Sequence, residues 1–236
     1  MRILILLFLS YTSLLWGQQP EIAFEIKPNS IAAGDSAQLS WQVKNADLVY
    51  ISSVGKVSLS GRIKISPDNS TTYTLIAESE AGIIRKTVSL EVKGTRGDQD
   101  FPKSDEFKFK NAYQLSAPSF VLLLDHVHHL LQNMLGFQVS ESYDRHTGQE
   151  KFVTRLSIKP ELKQRTEGAI RARRIAYLVE INEFSASARK YPCTIHALIQ
   201  YQRRAENRWR PEGDENIHTH EIKKLHELIN KAFDQK

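Results

Sequence analysis

Residues 34–73 read GDSAQLSWQVKNADLVYISSVGKVSLSGRIKISPDNSTTY. Short alternating runs are broken by Gly34, Asn45-Ala46, Gly55, Gly61 and Pro67-Asp68-Asn69-Ser70. Runs of this length and spacing predict a small antiparallel sandwich. Leu39, Trp41 and Val43 alternate with Gln38, Ser40 and Gln42, so one face of that strand is apolar and carries a large ring. Tyr73 stands near the start of a later strand, where a tyrosine corner would sit.

Working outward, the pattern predicts strands at Ile22–Lys27, Ala37–Val43, Leu48–Ser52, Lys56–Leu59, Arg62–Ser66, Thr72–Glu78 and Ile83–Val92. Seven strands make a first domain over 18–94. Together these residues resemble the immunoglobulin-like domains of bacterial surface and envelope proteins, over roughly residues 20–94. The inter-sheet disulfide of antibody domains is missing, and Trp41 falls on the second strand. The resemblance is therefore to cysteine-free bacterial and fibronectin-like variants, and it implies a spacer or binding module.

Residues 1–17, MRILILLFLSYTSLLWG, have the form of a secretory signal: Arg2, an apolar run from Ile3, and the small residue Gly17 before the expected cleavage. The run is shorter than the ~20 apolar residues that a membrane-spanning helix needs. No transmembrane span is expected after cleavage, and no cysteine is placed to carry a lipid. The expected location is periplasmic, outer-membrane-associated or extracellular.

Residues 95–106 are polar and contain Gly97 and Pro102, which predicts a linker. Beyond them, over 107–236, the pattern changes. Phe107–Leu115 alternates. Ser119 can cap a helix running to Leu135, with Phe120, Leu123, Leu124, Val127, Leu131 and Met134 on one face. Phe137–Tyr143 and Phe152–Ile158 flank Asp144-Arg145-His146-Thr147-Gly148 as a hairpin. Strands at Ile175–Glu183 and Thr194–Tyr201 and a last helix at Ile217–Phe233 complete the order β-α-β-β-β-β-α. The fold class expected is a two-domain chain: an all-β sandwich followed by an α+β domain with helices on an antiparallel sheet. The helix ending in Leu135-Gly136-Phe137, followed by a hairpin around Asp144–Gly148, is similar to small α/β domains of Gram-negative envelope lipoproteins, including accessory proteins of the outer-membrane barrel assembly machinery. That similarity implies an envelope scaffold.

Charge and histidine are concentrated in the second domain. Residues 18–94 balance eight Lys/Arg against eight Asp/Glu, whereas residues 95–236 hold 23 and 19, and all eight histidines. Three chemistries follow from these residues. Asp125, His128 and His129 share the polar face of the first helix and are the candidate metal ligands, with Asp125 and His129 at i, i+4. No HExxH or paired-cysteine motif accompanies them, and histidines on a solvated helix face need no metal, so no metal is expected. Catalysis finds no nucleophile elbow and no phosphate loop. The single cysteine, Cys193, is three residues from His196, on the opposite side of a strand. The leading expectation is a non-enzymatic protein without cofactor, and its rival is a secreted hydrolase or metal-dependent enzyme.

The third chemistry is polyanion or acidic-protein binding. Arg171, Arg173 and Arg174 precede one strand, Arg203 and Arg204 close the next, and Trp209 follows. If the two strands are antiparallel neighbours, these residues meet at one end of the sheet. An export signal excludes nucleic acid as the natural target. The expected partner is an envelope protein or an anionic envelope surface.

Overall fold

The computed structural model describes residues 18–94, 101–158, 170–183, 189–203 and 206–233. The expected signal, residues 1–17, lies outside them, as does the first part of the expected linker, residues 95–100.

The first half is two facing sheets. One contains β1 (Glu21–Lys27), β3 (Ala37–Lys44) and β6 (Ser60–Ile65), in that order, all antiparallel. The other runs β2 (Ser30–Ala32), β8 (Gly82–Lys93), β7 (Thr71–Ser79), β4 (Leu48–Ile51) and β5 (Gly55–Val57). Only β2 is parallel to its neighbour β8. Alternation drives the packing between the sheets. Phe24, Leu39 and Val43 from the first sheet meet Val49, Ile51, Leu75 and Leu90 from the second. Trp41 lies on that same inner face but is half-buried, and its Nε1 donates to Ser58 O at 2.8 Å. Gly61, opposite Trp41 in the ladder, leaves room for the ring, because a Cβ there would stand 2.5 Å from Trp41 Cζ2. Gly61→Ala should therefore cost about 1–3 kcal/mol through overpacking. Urea unfolding followed by Trp fluorescence would measure it, and an unchanged midpoint would mean that the ring swings out without loss.

The second half is one antiparallel sheet with helices on one face. Its elements in chain order are β9 (Phe109–Ser116), α1 (Phe120–His129), the hairpin β10 (Val139–Asp144) and β11 (Gln149–Thr154), β12 (Ser157–Ile158), β13 (Ile170–Asn182), β14 (Lys190–Arg203), β15 (Arg210–Pro211) and α2 (Glu215–Lys231). The order across the sheet is β10-β11-β13-β14. β12 lies beyond β11 along β13, and β9 and β15 occupy successive stretches of β14. The expected β-α-β-β-β-β-α order is present with the short β12 and β15 added. Ser119 Oγ accepts from Leu122 N at 3.1 Å and caps α1, which ends in a wider π-type turn over Leu130–Met134. Asp214 caps α2 through Asn216 N at 2.9 Å. Ile175, Tyr177, Val179, Tyr191, Cys193 and Ile195 face the helices. Phe107, which precedes β9, plugs the opposite face against Ala176, Leu178 and Leu198. Among the described residues no helix is long and apolar enough to cross a membrane.

The five-stranded sheet of the first half is covered on both faces. Its inner face meets the three-stranded sheet. Its outer face buries Tyr50 and Ile76 in the same core as α1, with Leu48 and Ile83 packed alongside. The two domains therefore share a core, and the relation between them is set by packing as well as by the connection through 95–106. Within that connection Ser104–Glu106 forms a single 3-10 turn.

Candidate binding cleft between the two domains

The polar side of α1 looks into the sandwich. Asp125 Oδ1 accepts from Lys56 N at 2.7 Å, and a Cβ on Gly55 would come within 3.1 Å of that oxygen. Gly55, at φ +99, thus suits both the turn and the close approach. His128 Nδ1 is hydrogen-bonded to Glu141 Oε1, and the Tyr50 hydroxyl donates to Glu141 Oε2 at 2.6 Å. Burial opposes charge on the His128 ring, but the Glu141 carboxylate outweighs it and raises the ring's pKa above the ordinary value. Burial, then Glu141, pushes the Tyr50 hydroxyl well above the usual phenol range.

Two further contacts hold the interface. Glu78 of β7 accepts from Ser119 Oγ at 2.7 Å and Val121 N at 2.9 Å, so a carboxylate from one domain sits at the positive end of a helix in the other. Arg85 of β8 bonds to Glu150 at 3.0 Å and Glu183 at 2.9 Å, and its guanidinium lies 4.8 Å from the centre of the Tyr143 ring. Burial raises the Glu150 carboxyl to about 7 although Arg85 pulls the other way. Burial disfavours the charge on Arg85, and Glu150 and Glu183 more than restore it.

These contacts fix a cleft of about 1060 Å³ beside the interface. One wall continues the outer face of β7 and β8, with Thr72, Thr74 and Thr87. The other wall is Gln138 and β10 as far as Tyr143. Arg145 bridges the two, donating to Thr87 Oγ1 at 3.2 Å. Among the described residues β10 is the last strand of its sheet and pairs only with β11. Arg155 N donates to Gln138 O at 2.9 Å and Gly148 N to Asp144 O at 2.8 Å, so the even-numbered residues of β10 turn their backbone groups toward β11. Val139, Glu141 and Tyr143 consequently turn theirs away from it. None of these three has a backbone partner on that side among the described residues.

The candidate metal ligands are not brought together. Asp125 serves Lys56 and His128 serves Glu141, while His129 is exposed and hydrogen-bonded to Asn133 at 2.8 Å. Among the described residues no three His, Cys, Asp or Glu side chains gather in a way that could hold a metal ion. Cys193 and His196 lie on opposite faces, as strand alternation requires. Cys193 is buried on the helix side, where burial pushes its thiol far above the ordinary range, and His196 Nε2 bonds to Glu180 at 2.9 Å.

The strands that carry the basic edge are neighbours, and Arg173, among its described residues, does not face solvent. β13 and β14 are antiparallel neighbours, with Ile170 opposite Arg203 and Arg174 opposite Gln200. Consecutive strand residues point to opposite faces, which separates Arg173 from Arg174. Arg173 is 1% exposed and bonded to Glu212 at 3.2 Å, so it offers no solvent-facing charge. Arg174 donates to Gln200 at 2.6 Å and stacks 4.5 Å from the Trp209 ring. Arg203 is exposed, near Tyr201. The Arg171 side chain and all of Arg204 lie outside the described residues.

Tyr50, Arg85, Glu141 and Glu150 carry the interface and do not stand out from spacing alone. The available clue is continuity. Val49–Ile51 and Tyr73–Ala77 are buried residue after residue, the mark of strands covered on both faces.

No family model matches this chain. It is similar to an uncharacterized protein of Ruminiclostridium cellulolyticum, 36% identical over 80 residues. That match covers 32% of this chain and only 22% of the relative's length.

Proposed function

We propose that the chain is an exported, non-enzymatic protein of the bacterial envelope that binds a protein partner in the cleft between an immunoglobulin-like sandwich and an α+β domain. The observation that carries this reading is the cleft itself, a polar groove whose two walls are locked to each other by Glu78, Arg85 and Glu141. Locked walls leave little conformational freedom to lose on binding, which favours recognition by a preformed surface. The burial of Arg173 against Glu212 moves the expected contact away from the basic end of the sheet and toward this groove. The apolar run after Arg2 supports export.

Site-specific photocrosslinking in the native host tests the proposal. A photoreactive residue in place of Thr72 or Ser142 should capture an envelope protein, while one in place of Lys224, on α2, should not. Recovery of intact Met1 in the cytosol, or crosslinking no stronger from the cleft than from α2, would overturn the reading.

A further inference from the structure

We infer that the cleft takes an extended segment of the partner protein, which adds to the sheet as a strand beside β10. The inference rests on the binding role proposed above and specifies the chemistry of the partner. Val139, Glu141 and Tyr143 present three N–H and three C=O groups along one edge that no other strand pairs with among the described residues. Donors and acceptors in this alternation match the backbone of another extended chain, whatever its sequence. The side chains of these three residues are held away from the edge. Val139 packs on the core, Glu141 is held by His128 and Tyr50, and Tyr143 lies under Arg85. Ser140 and Ser142, which point the other way, are small and exposed.

The geometry selects a single chain over a second folded copy. The hydroxyl-lined outer face of β7 and β8, with Thr72, Thr74 and Thr87, stands across the cleft from β10. Two copies pairing edge to edge would each bring such a wall to the same place. A lone strand needs only the ~5 Å spacing between neighbouring strands. Charge narrows the class further. Arg155 stands opposite Gln138 at the start of β10, and Arg145 follows Asp144 at its end. Six residues of strand separate them, about 20 Å at ~3.3 Å per residue. The fitting segment therefore carries acidic side chains near both ends and small or β-branched residues between.

Panning a phage-displayed library of linear 12-residue peptides against the full chain tests this. Enriched peptides should be acidic toward both ends, and binding should slow amide exchange at Val139, Glu141 and Tyr143. Val139→Pro removes one outward donor at the first residue of an edge strand, where proline is tolerated. It should weaken peptide binding at least fivefold with little change in melting temperature. Arg145→Glu with Arg155→Glu should weaken it at least tenfold and reverse the sign of its salt dependence. Amide protection in the wild type decides the matter independently, even if Val139→Pro unfolds. No enrichment, or protection confined to other strands, would overturn strand addition. Envelope-protein crosslinks from Thr72 or Ser142 without peptide enrichment would remove strand addition and leave the binding role standing. Loss of both would remove both.

Discussion

Arg85→Met is expected to destabilise the protein by about 3–5 kcal/mol at pH 8.5, where the Glu150 carboxyl is ionised in the wild type and would lose its buried partner. The Arg85 side chain is 14% exposed and that of Glu150 is 8%, so neither charge has ready access to water. The guanidinium also fills space between the Phe120 and Tyr143 rings, 5.5 Å and 4.8 Å from their centres. Glu183 is more exposed and can be solvated when Arg85 is lost, so Glu150 is the source of the penalty. A double variant, Arg85→Met with Glu150→Leu, should recover most of the loss, since a buried ion pair replaced by apolar side chains of similar size is often neutral. Urea unfolding measures both. Trp41 in the sandwich and Trp209 in the second domain report on the two halves through single-tryptophan variants. The wild type should unfold with coincident transitions from the two probes, because Tyr50 and Ile76 tie the sandwich to the core around α1. In Arg85→Met the sandwich and second-domain transitions should separate. A loss below 1 kcal/mol would mean that water reaches Glu150 and that the interface does not depend on this pair.

The elements with a strong period were legible in the sequence. The alternation around Leu39 and Val43 marks β3, and the apolar face of Ile222, Leu225 and Ile229 marks α2. β2 was not legible. It has three residues, and its pairing is with the distant end of β8 at Glu91–Lys93, which no local pattern encodes. The polar face of α1 was legible as polar but not as covered. Periodicity reports the character of a helix face and is silent about what lies against it. Asp125 and His128 therefore look like surface residues or metal ligands, whereas in the fold they meet Lys56 and Glu141. The basic end shows the same limit on a strand. The antiparallel pairing of these strands stood only as a condition, and a one-residue step decides whether an arginine meets solvent or Glu212. The cleft depends on the arrangement of two domains, and sequence spacing within either domain does not encode it.

Stability should fall as pH rises from about 5.5 to about 8.5, by up to about 3 kcal/mol, because the carboxyl of Glu150 is held near 7 by burial. An unfolded glutamate titrates near its ordinary value of 4.5. A carboxyl whose folded pKa is raised binds its proton more tightly in the folded chain, so its contribution is fully present below 4.5 and is lost as pH rises through 7. His128 acts in the same direction. Glu141 raises its folded pKa above 6.5, so the stability it adds is present below 6.5 and disappears as pH rises through the folded value. Glu180 works the other way. Its pKa is lowered, first by the hydrogen bond from His196, so its contribution is present above 4.5 and is lost as pH falls through its depressed value. The opposing trends place the stability maximum near pH 4.5. Glu150→Gln replaces the neutral acid with a neutral amide and should remove most of the alkaline decline. His128→Gln should remove the smaller remainder. Urea midpoints at pH 5.5, 7 and 8.5 test this, with Arg85→Met as the informative background. Without the guanidinium the Glu150 pKa rises further, so the loss in that variant should grow with pH and be least in acid. A midpoint that climbs steadily from pH 5.5 to 8.5 in the wild type would show that Glu150 is ionised in the fold throughout, with the ion pair to Arg85 outweighing burial.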